Sequence, residues 1–484
     1  MAIDRSREAP SGTSRRAFLT ASAASAAAAA TSLAAGSAPA TGAPALRGGG
    51  GPGNPLHPQH PDAELRALLR DIDPANIEMI VRRLAAFGTR HTLSSQDDPV
   101  RGIGAARDWI FATLQSYAAA SGGRMTVEKQ SFIQQPGPRI PVATQITNVI
   151  ATLHGDSDPG RTYVVTGHYD SRVTDVMNAT SDAPGADDDA SGVAVLMELA
   201  RVMATRHSEA TIVFAAVAGE EQNIYGSTFM AQAMKAANTN VQGMFSNDIV
   251  GSSTAEDGTR DRRTVRLFAE GVPTSETPQQ AAIRQNVGGE NDSVSRQLAR
   301  FAVDVADNGA TDMNIRVIWR RDRYLRGSDH ISFLQQGYPA ARFTEPAENF
   351  AHQHQDVRVE NGVQFGDLPE FCDFDYIARV AKVNGAVLWS LAQGPGTPRN
   401  VRIITANLTN TTTLRWNRGT EADLAGYEVI WRETTTPDWT NVIPVGDVTE
   451  ATIDLSKDNV FFGIRAVDTA GHHSPVAFPI PAAS

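Results

Sequence analysis

Five short segments of this 484-residue chain carry side chains suited to chemistry. In Gly167-His168-Tyr169-Asp170, an imidazole is followed two residues on by a carboxylate that could receive its second ring N–H and fix the tautomer for metal ligation. An exposed turn would account for the same residues. Asp187, Asp188 and Asp189 stand in a row within G-A-D-D-D-A-S-G (185–192). Helix capping explains one such aspartate easily and three poorly, whereas a divalent cation relieves their mutual repulsion. Gly219-Glu220-Glu221 ends an apolar run, where two glutamates are costly without compensation. One could bind metal while its neighbour moves a proton, and a solvated turn is the plain alternative. Asp248 lies in an otherwise apolar run, and H-Q-H-Q-D (352–356) sets two histidines near a carboxylate. Such mixed nitrogen and oxygen ligands are typical of zinc sites that keep a position open for water. The chain has no G-x-S-x-G elbow and no phosphate-cradling P-loop, and its single cysteine, Cys372, sits among acidic and aromatic residues that do not suggest an activated thiolate.

Four of these segments follow a strand-like run, at or just beyond its carboxyl end, where open α/β sheets gather ligand sites. Apolar runs predict strands at Asn148–Leu153, Tyr163–Thr166, Thr211–Val217, Met244–Val250, Val265–Ala269, Ile315–Trp319 and Ala340–Phe343. Helical spacing predicts Ala63–Leu69, Ile77–Ala86, Ile103–Tyr117, Ser191–Thr205, Gly226–Ala237, Ser295–Val305 and Phe374–Leu391. The alternation argues for an α/β fold, a three-layer sandwich around a mixed, mostly parallel sheet. Composition changes at 393–398, which reads as a linker. Beyond it, short strand-like runs at Val401–Ile404, Thr412–Trp416, Gly426–Arg432, Ala451–Leu455 and Phe461–Val467 predict a small β-sandwich.

Hydrophobic residues make up 41% of the chain, which excludes a fully disordered or fibrous protein. The net charge of −11, with no long basic run, argues against nucleic acid or an anionic membrane as the main partner. One cysteine rules out a disulfide within the chain. Residues 14–20 read S-R-R-A-F-L-T, an alanine-rich stretch runs to about Leu33, and Ala38-Pro39-Ala40 resembles a cleavage site. We read 1–40 as a twin-arginine export signal with Arg15 and Arg16 as the pair, which predicts a secreted or periplasmic protein. Residues 41–61 are rich in Gly and Pro and are expected to be a flexible lead. No later segment is apolar enough to span a membrane.

The order of motifs resembles the co-catalytic di-zinc aminopeptidases, a family that includes secreted bacterial leucyl aminopeptidases and aminopeptidase Y and, more distantly, glutaminyl cyclases and glutamate carboxypeptidase. The matching pieces are G-H-Y-D-S (167–171), P-G-A-D-D-D-A-S-G (184–192), A-G-E-E (218–221), N-D (247–248), S-D-H-I-S-F-L-Q-Q-G-Y-P-A (328–340) and H-Q-H-Q-D (352–356), with L-A-A-F-G-T-R-H (84–91) and G-A-A-R-D-W-I (104–110) upstream. The resemblance implies a peptidase domain over 62–392 that binds two zinc ions and cleaves N-terminal residues from peptides. It implies that Asp188 bridges the metals, that His168 and Asp248 complete one site, and that Glu221 and His352 complete the other. Glu220 would be the general base, and Asp170 would orient His168. The family's last histidine is usually followed by Ser or Thr, but here by Gln353, so His354 competes with His352; the four-residue spacing to Asp356 favours His352. Tyr324 is the candidate for holding the oxyanion. A glutaminyl cyclase-like acyltransferase or a carboxypeptidase would share the fold. A non-catalytic binding protein would be expected to have lost ligands that this chain retains.

Residues 399–484 resemble a fibronectin type III domain through L-R-W-N (414–417), G-Y-E-V-I-W-R (426–432) and F-G-I-R-A-V-D-T-A-G-H-H-S (462–474), with Trp416 as core tryptophan. The role this implies is a stabilising appendage, or alternatively a contact with surfaces or polysaccharide.

Overall fold

The computed structural model describes residues 51–406 and 408–482. The export signal expected over 1–40 and the start of the lead lie outside them. The main body is an eight-stranded mixed sheet. Its strands run, edge to edge, Met125–Gln134, Thr144–Leu153, Ala210–Val217, Asp158–His168, Asn240–Asn247, Ala340–Thr344, Thr264–Phe268 and Asn314–Ile318. The four central strands are mutually parallel, and the flanks add antiparallel pairings. Every residue of Ala210–Val217 is buried, as expected of a parallel strand covered on both faces.

One face is covered by Ala63–Arg70, Pro74–Ala85, Ile103–Ala119, Gly192–Met203, Val294–Ala306 and the long helix Phe374–Gln393, whose apolar residues join one core. The other face is covered by Tyr225–Ala236 and His330–Gln335, through Met230, Ala231, Phe333 and Leu334. This is the three-layer α/β arrangement expected from the sequence. The expected helix Ser191–Thr205 begins at Gly192 instead, because 186–191 forms a wider turn in which Asp188 and Asp189 leave helical geometry. Gly192 is needed there: a Cβ would lie 2.3 Å from the Asn247 carbonyl oxygen.

The long helix ends at Gln393 and the next strand begins at Arg399. A sheet of four strands and one of three follow and enclose Trp416, Tyr427, Val429, Trp431, Phe462 and Ile464. One edge of this sandwich is extended from an unexpected place. Asn54–Pro55 pairs antiparallel with Asn441–Gly446, the Trp431 indole N–H donates to the Pro52 carbonyl (2.8 Å), and Gln59 Oε1 accepts from the His473 backbone N–H (2.9 Å). Residues 51–61 are therefore not a free tether as composition suggested. Their backbone finds partners on an exposed strand edge, which offers unpaired N–H and C=O groups.

Candidate active site

Three parallel strands deliver the site at their carboxyl ends. His168 is the last residue of Asp158–His168, the Gly219-Glu220-Glu221 turn follows Ala210–Val217, and Asp248 follows Asn240–Asn247. The wide turn 186–191 brings the three aspartates to these strand ends, and each has a separate task. Asp187 Oδ1 accepts the Gly251 N–H (2.6 Å). Asp189 accepts the His168 N–H (2.9 Å) and the Gly192 N–H (3.0 Å), so it ties strand end to helix start. Asp188 is left to face the cluster, its own N–H held by Asp367 Oδ2 (2.8 Å).

Asp188 meets a histidine with each oxygen: Oδ1 lies 3.1 Å from His168 Nε2 and Oδ2 lies 2.7 Å from His354 Nε2. Two groups of candidate ligands share it. His168, Asp188 and Asp248 form one and Asp188, Glu221 and His354 the other, with ligand atoms within 4.8 Å of one another in each. Glu221 Oε1 is buried and sits 2.9 Å from His354 Nε2. Its other oxygen accepts from Arg172 Nε (2.8 Å).

The electrostatics call for positive charge. Burial opposes a proton on His354, yet Glu221 and Asp188 outweigh it and push its pKa up to about 10. Burial raises the Glu220 carboxyl well above the usual range; His168 opposes the shift and Asp248 and Glu221 add to it. Two imidazoles and three carboxylates, one of them shared, fit a pair of divalent cations of the zinc type.

His168, Asp188, Glu221 and Asp248 are brought together, with Glu220 beside them. His352 is not. Its ring stacks on Phe371, with centroids 3.5 Å apart and planes 6° apart. The His352 N–H closes a turn on the Asn349 carbonyl, and His354, in the left-handed region at φ 52°, turns the chain so that its own ring enters the cluster. Asp170 also differs from expectation. The His168 Nδ1 lies nearer the Asp170 carbonyl oxygen (3.2 Å) than its carboxylate (3.6 Å). The carboxylate instead accepts the N–H groups of Glu220 (3.3 Å) and Glu221 (3.1 Å) and so sets the acidic turn. Tyr324 is 80% exposed beneath the Arg320 guanidinium and stands outside the cluster.

Several supporting residues escaped the sequence reading. Asp367 receives the N–H groups of Asp187 and Asp188 from a loop with no motif of its own. Arg172 bonds Glu221 and lies 2.6 Å from His354 Nδ1, and its only signal was its place directly after G-H-Y-D-S. Arg342 is fully buried and pairs with Asp248 (3.0 Å) from inside a strand.

A profile for peptidase family M28 matches residues 148–360. A protein of Pyrenophora teres f. teres named "Probable zinc metalloprotease" is 55% identical over 424 residues, covering 87% of this chain and 88% of its own length. A protein of Leptosphaeria maculans with the same description is 55% identical over 421 residues, covering 87% and 98%. Among solved structures, the LapA aminopeptidase of Legionella pneumophila matches with a TM-score of 0.49 and 18% identity, over 68% of this chain and 75% of that one. The profile spans the segments that carry His168, Asp188, Glu221, Asp248 and His354, and the identity extends over most of the chain: it belongs to peptidase family M28.

Proposed function

We propose that this chain is an exported aminopeptidase that works with two zinc ions. Family membership and the relatives named as zinc metalloproteases support a zinc-dependent hydrolase acting on peptides. The observation that carries the finer reading is the position of Asp188, with one oxygen toward His168 and the other toward His354. In this reading His168, Asp188 and Asp248 hold one ion, and Asp188, Glu221 and His354 the other. Zinc in such a site supplies Lewis acidity, lowering the pKa of water and polarising the scissile carbonyl.

The protein's own part is proton transfer and positioning. Glu220, held by the Asp170 carboxylate through its backbone, takes the proton from the attacking water and delivers it to the leaving amine. Carboxylates of the site beyond those that would hold zinc suit the ammonium of a free N-terminus. The twin-arginine segment supports export of the chain, and the two sheets built mainly from strands beyond residue 398 support a fibronectin type III-like appendage.

Glu220→Gln should lower turnover by about 10²–10⁴-fold while leaving zinc content unchanged. Full activity in that variant would remove Glu220 as the base. Digestion of a peptide library, read by mass spectrometry, should show successive loss of N-terminal residues. Loss from the C-terminus or pyroglutamate formation would overturn the aminopeptidase reading, and one zinc per chain would overturn the two-metal site.

A further inference from the structure

The rim of the candidate site carries positive charge that the aminopeptidase reading does not use. The segment between the strand Asn314–Ile318 and the helix His330–Gln335 reads W-R-R-D-R-Y-L-R-G-S-D-H (319–330). It is fixed to the site at two points. Ser328 Oγ lies 2.9 Å from Ser246 Oγ, two residues before Asp248. Asp322 is bound by Arg342 (3.0 Å), whose guanidinium also pairs with Asp248 (3.0 Å). Arg326 reaches from this segment to Glu348 Oε2 (2.8 Å), on the loop that continues to His354. It therefore spans the gap between two loops that frame the cluster, and Asp188 and Asp248 both act on its charge.

The Glu348 carboxylate also receives Arg323 (3.0 Å), which pairs with Asp322 as well (3.1 Å), and Arg266 (3.3 Å), so three guanidiniums meet at one carboxylate whose side chain is only 6% exposed. Arg326 is the most open of the three, with 34% of its side chain exposed, and it makes one side-chain hydrogen bond with a group built for five. A planar guanidinium with free donors is suited to a carboxylate.

We propose that Arg326 binds a carboxylate on the leaving side of the substrate, so that the enzyme favours short peptides with a negative charge just beyond the scissile bond. This rests on the aminopeptidase reading. With its free N-terminus held at the cluster, a zwitterionic di- or tripeptide carries its carboxylate on the leaving side, the complement of the Arg326 guanidinium. The C-terminal α-carboxylate and an acidic side chain in the residue after the scissile bond offer the same chemistry.

The zinc-loaded enzyme is compared on Leu-Ala and Leu-Ala-amide, and on Leu-Glu-Ala-amide and Leu-Gln-Ala-amide. The charged member of a pair should be favoured about tenfold or more, expressed mainly in KM, as expected for one charge-assisted contact. A preference confined to the first pair assigns the α-carboxylate, and one confined to the second assigns the side chain. Arg326→Gln should bring the ratio close to one, and Arg326→Lys should keep part of it. Calorimetric binding of the non-cleavable reduced-amide analogue of Leu-Ala and of its C-terminal amide reads the same contact without turnover. Ratios near one in the wild type, or ratios unchanged by Arg326→Gln, overturn the assignment. Failure to cleave any of these peptides overturns the aminopeptidase reading instead, and the binding comparison then decides the role of Arg326 separately.

Discussion

Three consecutive aspartates at 187–189 do three different things because a wide, non-helical turn points them in three directions. Their repulsion was legible in the sequence, but their division of labour was not, since it depends on partners at Gly251, Gly192 and His168 that only the fold brings near. The histidines show the same limit. Spacing to Asp356 favoured His352, yet a stack on Phe371 removes that ring and a left-handed backbone at His354 delivers the other. Contact with Phe371 and a positive φ are decided by neighbours distant in sequence. His354→Ala should therefore lose at least one zinc equivalent on dialysis, read by metal analysis, with activity falling in parallel. His352→Ala should keep its metal and most of its activity; the reverse pattern would return the ligand role to His352.

At the level of elements, the buried apolar strands of the sheet centre stood out in the sequence because both of their faces are covered. The edge strand Met125–Gln134 did not, since most of its residues remain partly or fully exposed and no continuous apolar run marks it. The helix Pro278–Val287 was also missed, and it buries no residue at all. The loops at the strand ends are held by a residue that carried little signal. Arg90 is fully buried and donates to the carbonyls of Tyr169 (2.7 Å), Leu84 (3.0 Å), Pro184 (2.5 Å) and Gly185 (2.8 Å). It ties the turn after His168 to the turn before Asp187. Burial lowers its pKa to about 10, against the pull of Asp367, Asp170, Asp189 and Asp188, so it remains charged at neutral pH. Arg90→Met strands several buried carbonyls and should cost about 3 kcal/mol or more of stability in urea unfolding, at roughly 1–3 kcal/mol per unsatisfied group. Arg90→Lys keeps the charge but not the fork of donors, and should recover only part of that loss. Equal stability of all three proteins would show that the loops hold themselves.

The whole molecule is joined through buried polar contacts between the peptidase body and the sandwich. Arg432 of the sandwich pairs with Asp292 of the body (2.7 Å), and the Trp439 indole N–H donates to Gln297 (2.8 Å). Near the same junction lie two titratable groups whose shifts oppose each other as pH falls. Burial, with Arg465 and His472 adding and Asp468 opposing, lowers the pKa of His473 from 6.5 to about 3. Burial also raises Asp304 from 3.8 to about 6, against Arg465 and the Gln59 backbone and with Glu428. Below pH 6.5 the unfolded chain takes up a proton at position 473 that the folded chain refuses, so stability falls down to about pH 3. Asp304 acts the other way, because the folded chain binds its proton first and gains stability as pH drops from about 6 to 3.8. The His473 shift is the larger, so acid should destabilise the junction on balance, with Asp304 blunting the loss. His473→Asn should flatten the fall in Tm between about pH 6.5 and 4. Asp304→Asn should steepen it and raise Tm at pH 7.5, where the ionised carboxylate is a burden on the folded state. Melting curves across this range decide the matter, and a steeper acid loss in His473→Asn than in the wild type would refute that balance.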